Sequence, residues 1–257
     1  MLLCVDIGNI QVTFGLYEGE TLGPKWRIRT VHERTADEYG ILLDQLFRHR
    51  GARPDQVSGV AIACVVPPLT PVFEAVCREY LGQEPLVVDA GVRTGVRIRY
   101  DNPREVGADR VADAAAVRAL YGLPACVVDL STATTFDAIS AEGDYLGGAI
   151  APGIGIAAQA LFQRTAKLPR VELTRPPAAI GRNTAHSIQA GLVFGYVGLV
   201  EGLVARFKAE LGPQTHVVAT GSEAHVIARE TEVIDVVDPW LTLHGLQVIY
   251  RMNRQRA

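Results

Sequence analysis

The chain has 257 residues, of which 48% are hydrophobic, and its formal net charge at pH 7 is -3. This length and apolar content suit one large core or two smaller ones. The small charge and the lack of lysine or arginine runs argue against a nucleic-acid partner. The four cysteines lack C-x-x-C spacing and lie mostly in apolar stretches, which indicates buried thiols in a reducing compartment. We expect a cytoplasmic protein, because the carboxylate of Asp6 comes too early for a signal peptide.

The N-terminal half is predicted to begin with three antiparallel strands joined by turns that contain glycine. Thr35 and Glu38 then have the spacing of a capping box, and Gly51 follows the end of the helix that they begin. The predicted elements are strands over 2–6, 12–19 and 24–30, a helix over 35–51, a strand over 57–66, a helix over 69–82 and a strand over 84–90.

The C-terminal half repeats this order, which predicts a structural duplication. We place the halves at 1–104 and 105–257, and a cleft between two such α/β halves is a usual place for ligands. The predicted elements are a helix over 108–121, strands over 125–130, 134–140 and 145–153, a helix from Ile154, a long helix around 188–204, a strand over 215–220, a helix from Glu223 and a closing helix after Pro239.

The long helix carries a stripe of glycines. Gln189 and Glu201 interrupt its apolar run, which is on the short side for a membrane span. On a helix the glycine spacing of four, three and four residues makes one face, which favours close backbone contact with another helix. That contact is either core packing or a subunit interface, and the pattern alone leaves both open. The glycines are Gly191, Gly195, Gly198 and Gly202.

Two strands end on an aspartate and leave through a small polar turn. Asp6 precedes Gly-Asn, and Asp129 precedes Ser-Thr-Ala-Thr. Backbone N–H groups of such turns can hold phosphate oxygens, and the carboxylate can hold the accompanying cation. In a third element, Gly221 lies between a strand and a helix, where a ligand can approach the backbone. Together they indicate a clamp for a nucleoside triphosphate.

These turns resemble those of the sugar kinase, Hsp70 and actin superfamily. Within it, "VDIGN", "NPREVGADRVADA", "STATTFD", "GGAIAPG" and "ATGSEA" make nearly the whole chain similar to type III pantothenate kinases. The resemblance implies an α/β fold of duplicated ribonuclease H-like (actin-like ATPase) domains with an interdomain cleft. It also implies ATP-dependent phosphorylation of pantothenate to 4'-phosphopantothenate, the first step of coenzyme A biosynthesis. Members are homodimers, which favours the interface interpretation of the glycine stripe, and no membrane partner is implied.

The resemblance also assigns roles to individual residues. Asp109 is the implied general base, Asp129 the ligand of a monovalent cation (K⁺ or NH₄⁺), and Asp6 the residue that organises the Mg²⁺ of ATP. The implied ATP-binding residues are Asp6, Ile7, Gly8, Asn9, Ile10, Gln11, Val12, Thr13, Thr132 and Gly221. The implied pantothenate-binding residues are Tyr100, Gly107, Ala108, Asp109, Arg110 and Thr184.

Three turn residues depart from the family pattern. Ile10 replaces a threonine, while Ser131 and Ser222 replace glycines. Serine at a position that needs positive φ would strain the backbone, so weakened nucleotide binding is expected. The alternatives are a non-catalytic accessory or regulatory relative and an ATP-hydrolysing enzyme of the same superfamily. The intact Asp109 and Asp129 favour the kinase.

Overall fold

The computed structural model describes residues 1–254. Its contacts divide the chain into two compact units, each with one mixed sheet and flanking helices. This confirms the predicted fold class of duplicated α/β domains, while the boundary at 104/105 stays a prediction. The first unit comprises Met1–Arg97, Asp101–Ala119 and the chain from Leu241 onward, and the second comprises Ile98–Tyr100 and Leu120–Trp240.

The secondary structure follows the predicted order closely. Two short strands, at 97–98 and 236–237, were not predicted, and the strand predicted over 84–90 is only two residues long. The elements are β1 (Leu2–Ile7), β2 (Gln11–Glu18), β3 (Thr21–Arg29), α1 (Ala36–His49), β4 (Gly59–Cys64), α2 (Thr70–Leu81), β5 (Leu86–Val87), β6 (Arg97–Ile98), α3 (Ala108–Leu120), β7 (Ala125–Leu130), β8 (Ala133–Ile139), β9 (Asp144–Pro152), α4 (Ile154–Arg164), α5 (Thr184–Leu211), β10 (His216–Thr220), α6 (Ala224–Ala228), β11 (Val236–Val237) and α7 (Leu241–Arg254).

The first unit has the sheet order β3-β2-β1-β4-β5, with β1 antiparallel to β2 and parallel to β4. Side chains alternate across a strand, so Leu3, Val5 and Ile7 share one face. They are fully buried in a core that includes Phe47 of α1 and Phe73 of α2. Helix α1 begins with the predicted capping box, in which both hydrogen bonds are present. The carboxyl end of β1 is therefore held in the middle of a well-packed sheet.

The second unit has the sheet order β11-β10-β7-β8-β9-β6. Strand β7 is central, antiparallel to β8 and parallel to β10, and Cys126, Val128 and Leu130 on one of its faces are buried under helices that include α5. The edge strand β6 comes from the segment that joins the two sequence halves, and the Arg99 N–H continues its pairing by donating to Tyr145 O at 2.8 Å. This pairing attaches the chain around residue 100 to the second sheet.

The glycine stripe of α5 is not packed within the described part of the chain. A Cβ built on Gly191, Gly195 or Gly198 meets no atom within 4 Å, and all three glycines are exposed. The interpretation as core packing is therefore wrong for residues 1–254. Helix α5 is also long and apolar enough to cross a membrane by length and composition, which is weak evidence by itself.

Candidate active site

The first turn, between β1 and β2, is closed by backbone hydrogen bonds. The Gly8 N–H donates to Gln11 O at 3.0 Å, and the Thr30 hydroxyl donates to Gly8 O at 2.7 Å. The Thr30 N–H donates to Ile10 O at 2.9 Å, which ties the turn to the chain after β3. The Ile10 side chain is 59% exposed, so its replacement of a threonine leaves the turn's own hydrogen bonds intact.

The Asp6 carboxylate lies beside a cationic side chain at this end of the sheet. Asp6 pairs with Thr13 across β1 and β2, and Thr13 pairs with Arg27 across β2 and β3. Directly opposed residues share a face, so the three side chains form one row. Partial burial lowers the pKa of the Arg27 guanidinium, and the nearby Asp6 carboxylate acts in the opposite direction.

The predicted base, Asp109, lies in the first turn of α3. Its Oδ1 accepts from the Arg110 N–H at 2.7 Å, and a Cβ on Gly107 would overlap that oxygen. The same Cβ would lie 3.4 Å from Val65 Cγ1, and the Val65 N–H donates to Ile7 O at 3.1 Å. The structure thus brings the start of α3 to the carboxyl end of β1, within the first unit.

The second turn, between β7 and β8, holds Asp129 at the carboxyl end of β7. Asp129 pairs with Thr220 of β10 on one side and with Thr135 of β8 on the other. The Ser131 hydroxyl donates to Asp129 Oδ2 at 2.9 Å. The Ser131 N–H donates to Ala133 O at 3.1 Å, which closes the turn.

Two glycines lie in close contact with this turn. A Cβ on Gly221 would overlap Asp129 Oδ1 and the Leu130 carbonyl, and Gly221 has a φ of +95° that L residues rarely adopt. A Cβ on Gly153, which precedes α4, would overlap the carbonyl oxygens of Ser131 and Thr132. The structure therefore places Gly221 against Asp129, and it places Gly153 against Thr132 of the same turn, a contact that the sequence did not indicate.

Tyr100 is held in a slot on the edge of the second sheet. Its ring lies edge-on to Tyr145, with centroids 6.3 Å apart. A Cβ on Gly147, which has a φ of +128°, would come within 3.3 Å of the Tyr100 ring. The Tyr145 hydroxyl donates to the fully buried Asp137 at 2.7 Å. Tyr145, Gly147 and Asp137 were not among the predicted site residues, although "TTFD" and "GGAIAPG" mark their segments.

Thr184 stands apart from these groups in the described contacts. It is exposed in the first turn of α5, where Asn183 caps the helix by accepting from the His186 N–H at 2.8 Å. Nothing described for residues 1–254 joins Thr184 to Asp129 or Tyr100.

The expectation of backbone strain at Ser131 and Ser222 is wrong. Within residues 1–254 every residue with positive φ is a glycine, so neither Ser131 nor Ser222 occupies a strained conformation. The position that needs the left-handed region is Gly221, which this chain keeps. Serine therefore fits both turns without backbone cost.

The residues around Asp129 suit a hard cation. The Asp129 carboxylate and the Leu130 carbonyl both face Gly221, and such oxygen donors are the ligands that hard cations prefer. Residues 1–254 contain no cluster of three or more histidine, cysteine, aspartate or glutamate side chains that could hold a metal by themselves.

Two units, each with an aspartate and a tight turn after a central strand, define an ATP-dependent phosphotransferase of the sugar kinase and actin class. A family model described as type III pantothenate kinase matches residues 2–206. The type III pantothenate kinase of Moorella thermoacetica is 53% identical over 98% of this chain and 100% of its own length. That of Roseiflexus sp. strain RS-1 is 54% identical over 99% of this chain and 100% of its own. The chain belongs to the type III pantothenate kinase family.

Solved structures support the fold alone. The ethanolamine utilization protein EutJ of Carboxydothermus hydrogenoformans superposes with a TM-score of 0.56 at 13% identity, over 96% of this chain and 89% of its own. The inorganic polyphosphate/ATP-glucomannokinase of an Arthrobacter species gives 0.50 at 15% identity, over 99% of each chain. The comparisons give no support to the non-catalytic alternative.

Proposed function

We propose that this protein transfers the γ-phosphoryl group of ATP to the primary hydroxyl of pantothenate, giving 4'-phosphopantothenate and ADP. The observation that carries the proposal is the placement of Asp109 at the start of α3, beside the carboxyl end of the strand that bears Asp6. The chain's membership of the type III pantothenate kinase family supports the choice of substrate.

Asp109 acts as the general base in this proposal. Its carboxylate accepts the proton of the attacking hydroxyl as the new P–O bond forms, while the bond from the γ-phosphorus to the bridging oxygen of ADP breaks. The Arg110 N–H donates to Asp109 Oδ1, and a negatively charged side chain in the first turn of a helix is stabilised by the helix dipole. The carboxylate of Asp109 is assigned to the substrate hydroxyl.

Arg110 and Tyr100 recognise pantothenate. A guanidinium can bind a carboxylate through two parallel hydrogen bonds, so Arg110 is assigned to the carboxylate of the substrate. Tyr100 offers an aromatic face and a hydroxyl from a slot that Tyr145 and Gly147 define. Gly107 and Ala108 leave the backbone accessible next to the base, and Thr184 stays a proposed substrate contact.

The phosphates of ATP are assigned to the two aspartate turns. The 6–13 turn supplies backbone N–H groups and Asp6, while Thr132 and Gly221 supply the turn around Asp129. Asp6 is assigned to Mg²⁺ and Asp129 to a monovalent cation, K⁺ or NH₄⁺. When bound, these ions neutralise charge that builds on the phosphate oxygens during transfer.

We also propose that two copies associate through α5. The exposed glycine stripe lets a second helix approach closely. Helix α5 is strongly apolar, and a large apolar surface exposed to water commonly marks an interaction site. Ile150, Ile156 and Phe162 of the same unit are also exposed. Sedimentation of the wild type and of Gly195→Glu tests this: a dimer that the variant converts to monomer supports it, and a monomeric wild type contradicts it.

A cytoplasmic location is likewise proposed.

The experiment that tests the function measures ADP formation with Mg²⁺ in KCl, NH₄Cl or NaCl, with and without pantothenate. Turnover that requires pantothenate supports the kinase. ADP formation without pantothenate would instead identify an ATP-hydrolysing enzyme. Pantothenol, which has an alcohol in place of the carboxylate, is the matched substrate control and is expected to bind weakly because Arg110 loses its partner.

A further inference from the structure

We propose that Ser131 is a positioning residue that helps to orient the Asp129 carboxylate and thereby strengthens this chain's binding of its monovalent cation. The inference rests on the proposed function, which assigns the cation to Asp129. The Ser131 hydroxyl donates to Asp129 Oδ2 at 2.9 Å. A residue without a side-chain hydroxyl at this position could not make the hydrogen bond, so the contact depends on the serine itself.

The backbone of the turn holds the serine hydroxyl in place. The Ser131 N–H donates to Ala133 O at 3.1 Å, and the Gly153 N–H donates to Thr132 O at 3.1 Å. Gly153 also lies so close that a Cβ there would overlap the Ser131 carbonyl. Ser131 does not have a positive φ, so its backbone conformation does not require glycine. The side-chain hydroxyl is therefore what distinguishes this serine from a glycine.

The other oxygen of Asp129 is directed elsewhere. A Cβ on Gly221 would overlap Asp129 Oδ1 and the Leu130 carbonyl, so these two oxygens face the same small space. The Leu130 carbonyl also accepts the Glu223 N–H at 2.9 Å, which fixes its direction. The hydrogen bond from Ser131 to Oδ2 favours the orientation of the carboxylate in which Oδ1 lies beside the carbonyl.

This arrangement favours cation binding even though the Ser131 hydroxyl already occupies one acceptor position of the carboxylate. An ionised carboxylate has about four lone-pair sites, so one hydrogen bond leaves capacity for an ion. A hydrogen bond to a charged group is among the stronger ones, and a ligand that is already oriented loses less freedom on binding. Removing the hydroxyl removes one of the contacts that orient the carboxylate beside the Leu130 carbonyl, which weakens cation binding.

The test compares Ser131→Ala and Ser131→Gly with the wild type and with Ser140→Ala. Ser140 donates to Glu142 at 2.8 Å and accepts from the N–H groups of Glu142 and Asp144, so its replacement removes a comparable hydroxyl–carboxylate hydrogen bond and two further ones outside the site. The KCl concentration for half-maximal turnover is measured at saturating ATP, Mg²⁺ and pantothenate. The second readout is the rise in melting temperature from NaCl to KCl at equal ionic strength, with Mg²⁺ and a non-hydrolysable ATP analogue.

Both Ser131 variants are expected to need about three- to tenfold more K⁺ and to show a smaller K⁺-specific rise in melting temperature. Ser140→Ala is expected to match the wild type in both readouts. A wild type that turns over with K⁺ dependence, together with Ser131 variants that share its K⁺ requirement or bind K⁺ more tightly, overturns the inference and leaves the proposed function standing. A wild type without pantothenate-dependent turnover overturns the proposed function itself.

Discussion

Replacing Gly221 with alanine tests how tightly the third turn closes on Asp129. The left-handed backbone at a φ of +95° costs an L residue about 1–2 kcal/mol. The new Cβ would also overlap Asp129 Oδ1 and the Leu130 carbonyl, and a backbone oxygen cannot rotate away. Such overpacking costs about 1–3 kcal/mol more. The sum of about 2–5 kcal/mol lowers the melting temperature by about 4–20 °C for a chain of this size.

Gly82→Ala is the matched control for this variant. Gly82 also has positive φ, +62° at the end of α2, but a Cβ there meets no atom within 4 Å. Its replacement is expected to cost only the backbone term of about 1–2 kcal/mol. Urea denaturation measures both costs, and calorimetry measures ATP binding, which Gly221→Ala is expected to weaken. Equal losses of stability in the two variants, with unchanged ATP binding, would refute the reasoning.

Three further predictions concern the second unit. Gly147→Ala displaces the Tyr100 ring, so the KM for pantothenate is expected to rise about tenfold while the KM for ATP is unchanged. Steady-state assays in which both KM values change equally would contradict the assignment of Tyr100 to pantothenate. Tyr145→Phe removes the hydroxyl that donates to Oδ1 of the buried Asp137 and is expected to cost about 1–3 kcal/mol in urea denaturation, and a loss below that range would count against the hydrogen bond. Burial and the hydrogen bond to a neighbouring carboxylate raise the pKa of Tyr121 to about 12, so the neutral phenol favours the folded state. Its contribution is full below a pH of about 10 and is lost as the pH rises toward 12, and Tyr121→Phe should remove that part of the pH dependence of unfolding.

The strand ends that carry Asp6 and Asp129 could be predicted from the sequence. In each, an unbroken apolar run stops at a carboxylate and a small polar turn follows, and a buried strand of a parallel pair has that pattern. The capping box of Thr35 and Glu38 gave the start of α1 in the same way, because the hydrogen bonds involved are local in sequence.

The slot for Tyr100 could not be predicted, since it depends on contacts distant in sequence. Strand β6 has two residues, too few for any periodicity, and its attachment to β9 is formed by backbone hydrogen bonds. The sequence also could not show which turn glycine needs positive φ. The structure identifies Gly221 and removes the expected strain at Ser131 and Ser222. Whether the glycine stripe of α5 faced the core likewise depended on tertiary packing.

The most direct test of the central claim is the turnover of Asp109→Asn with ATP, Mg²⁺, K⁺ and pantothenate. Asparagine keeps the size of the side chain but cannot accept the proton, so kcat is expected to fall about 10²- to 10⁴-fold. Pantothenate binding, measured by calorimetry, should change far less. Asp44→Asn, which alters only an exposed ion pair with Arg48, should retain full turnover. Wild-type turnover in Asp109→Asn would contradict the assignment of the base and with it the proposed mechanism.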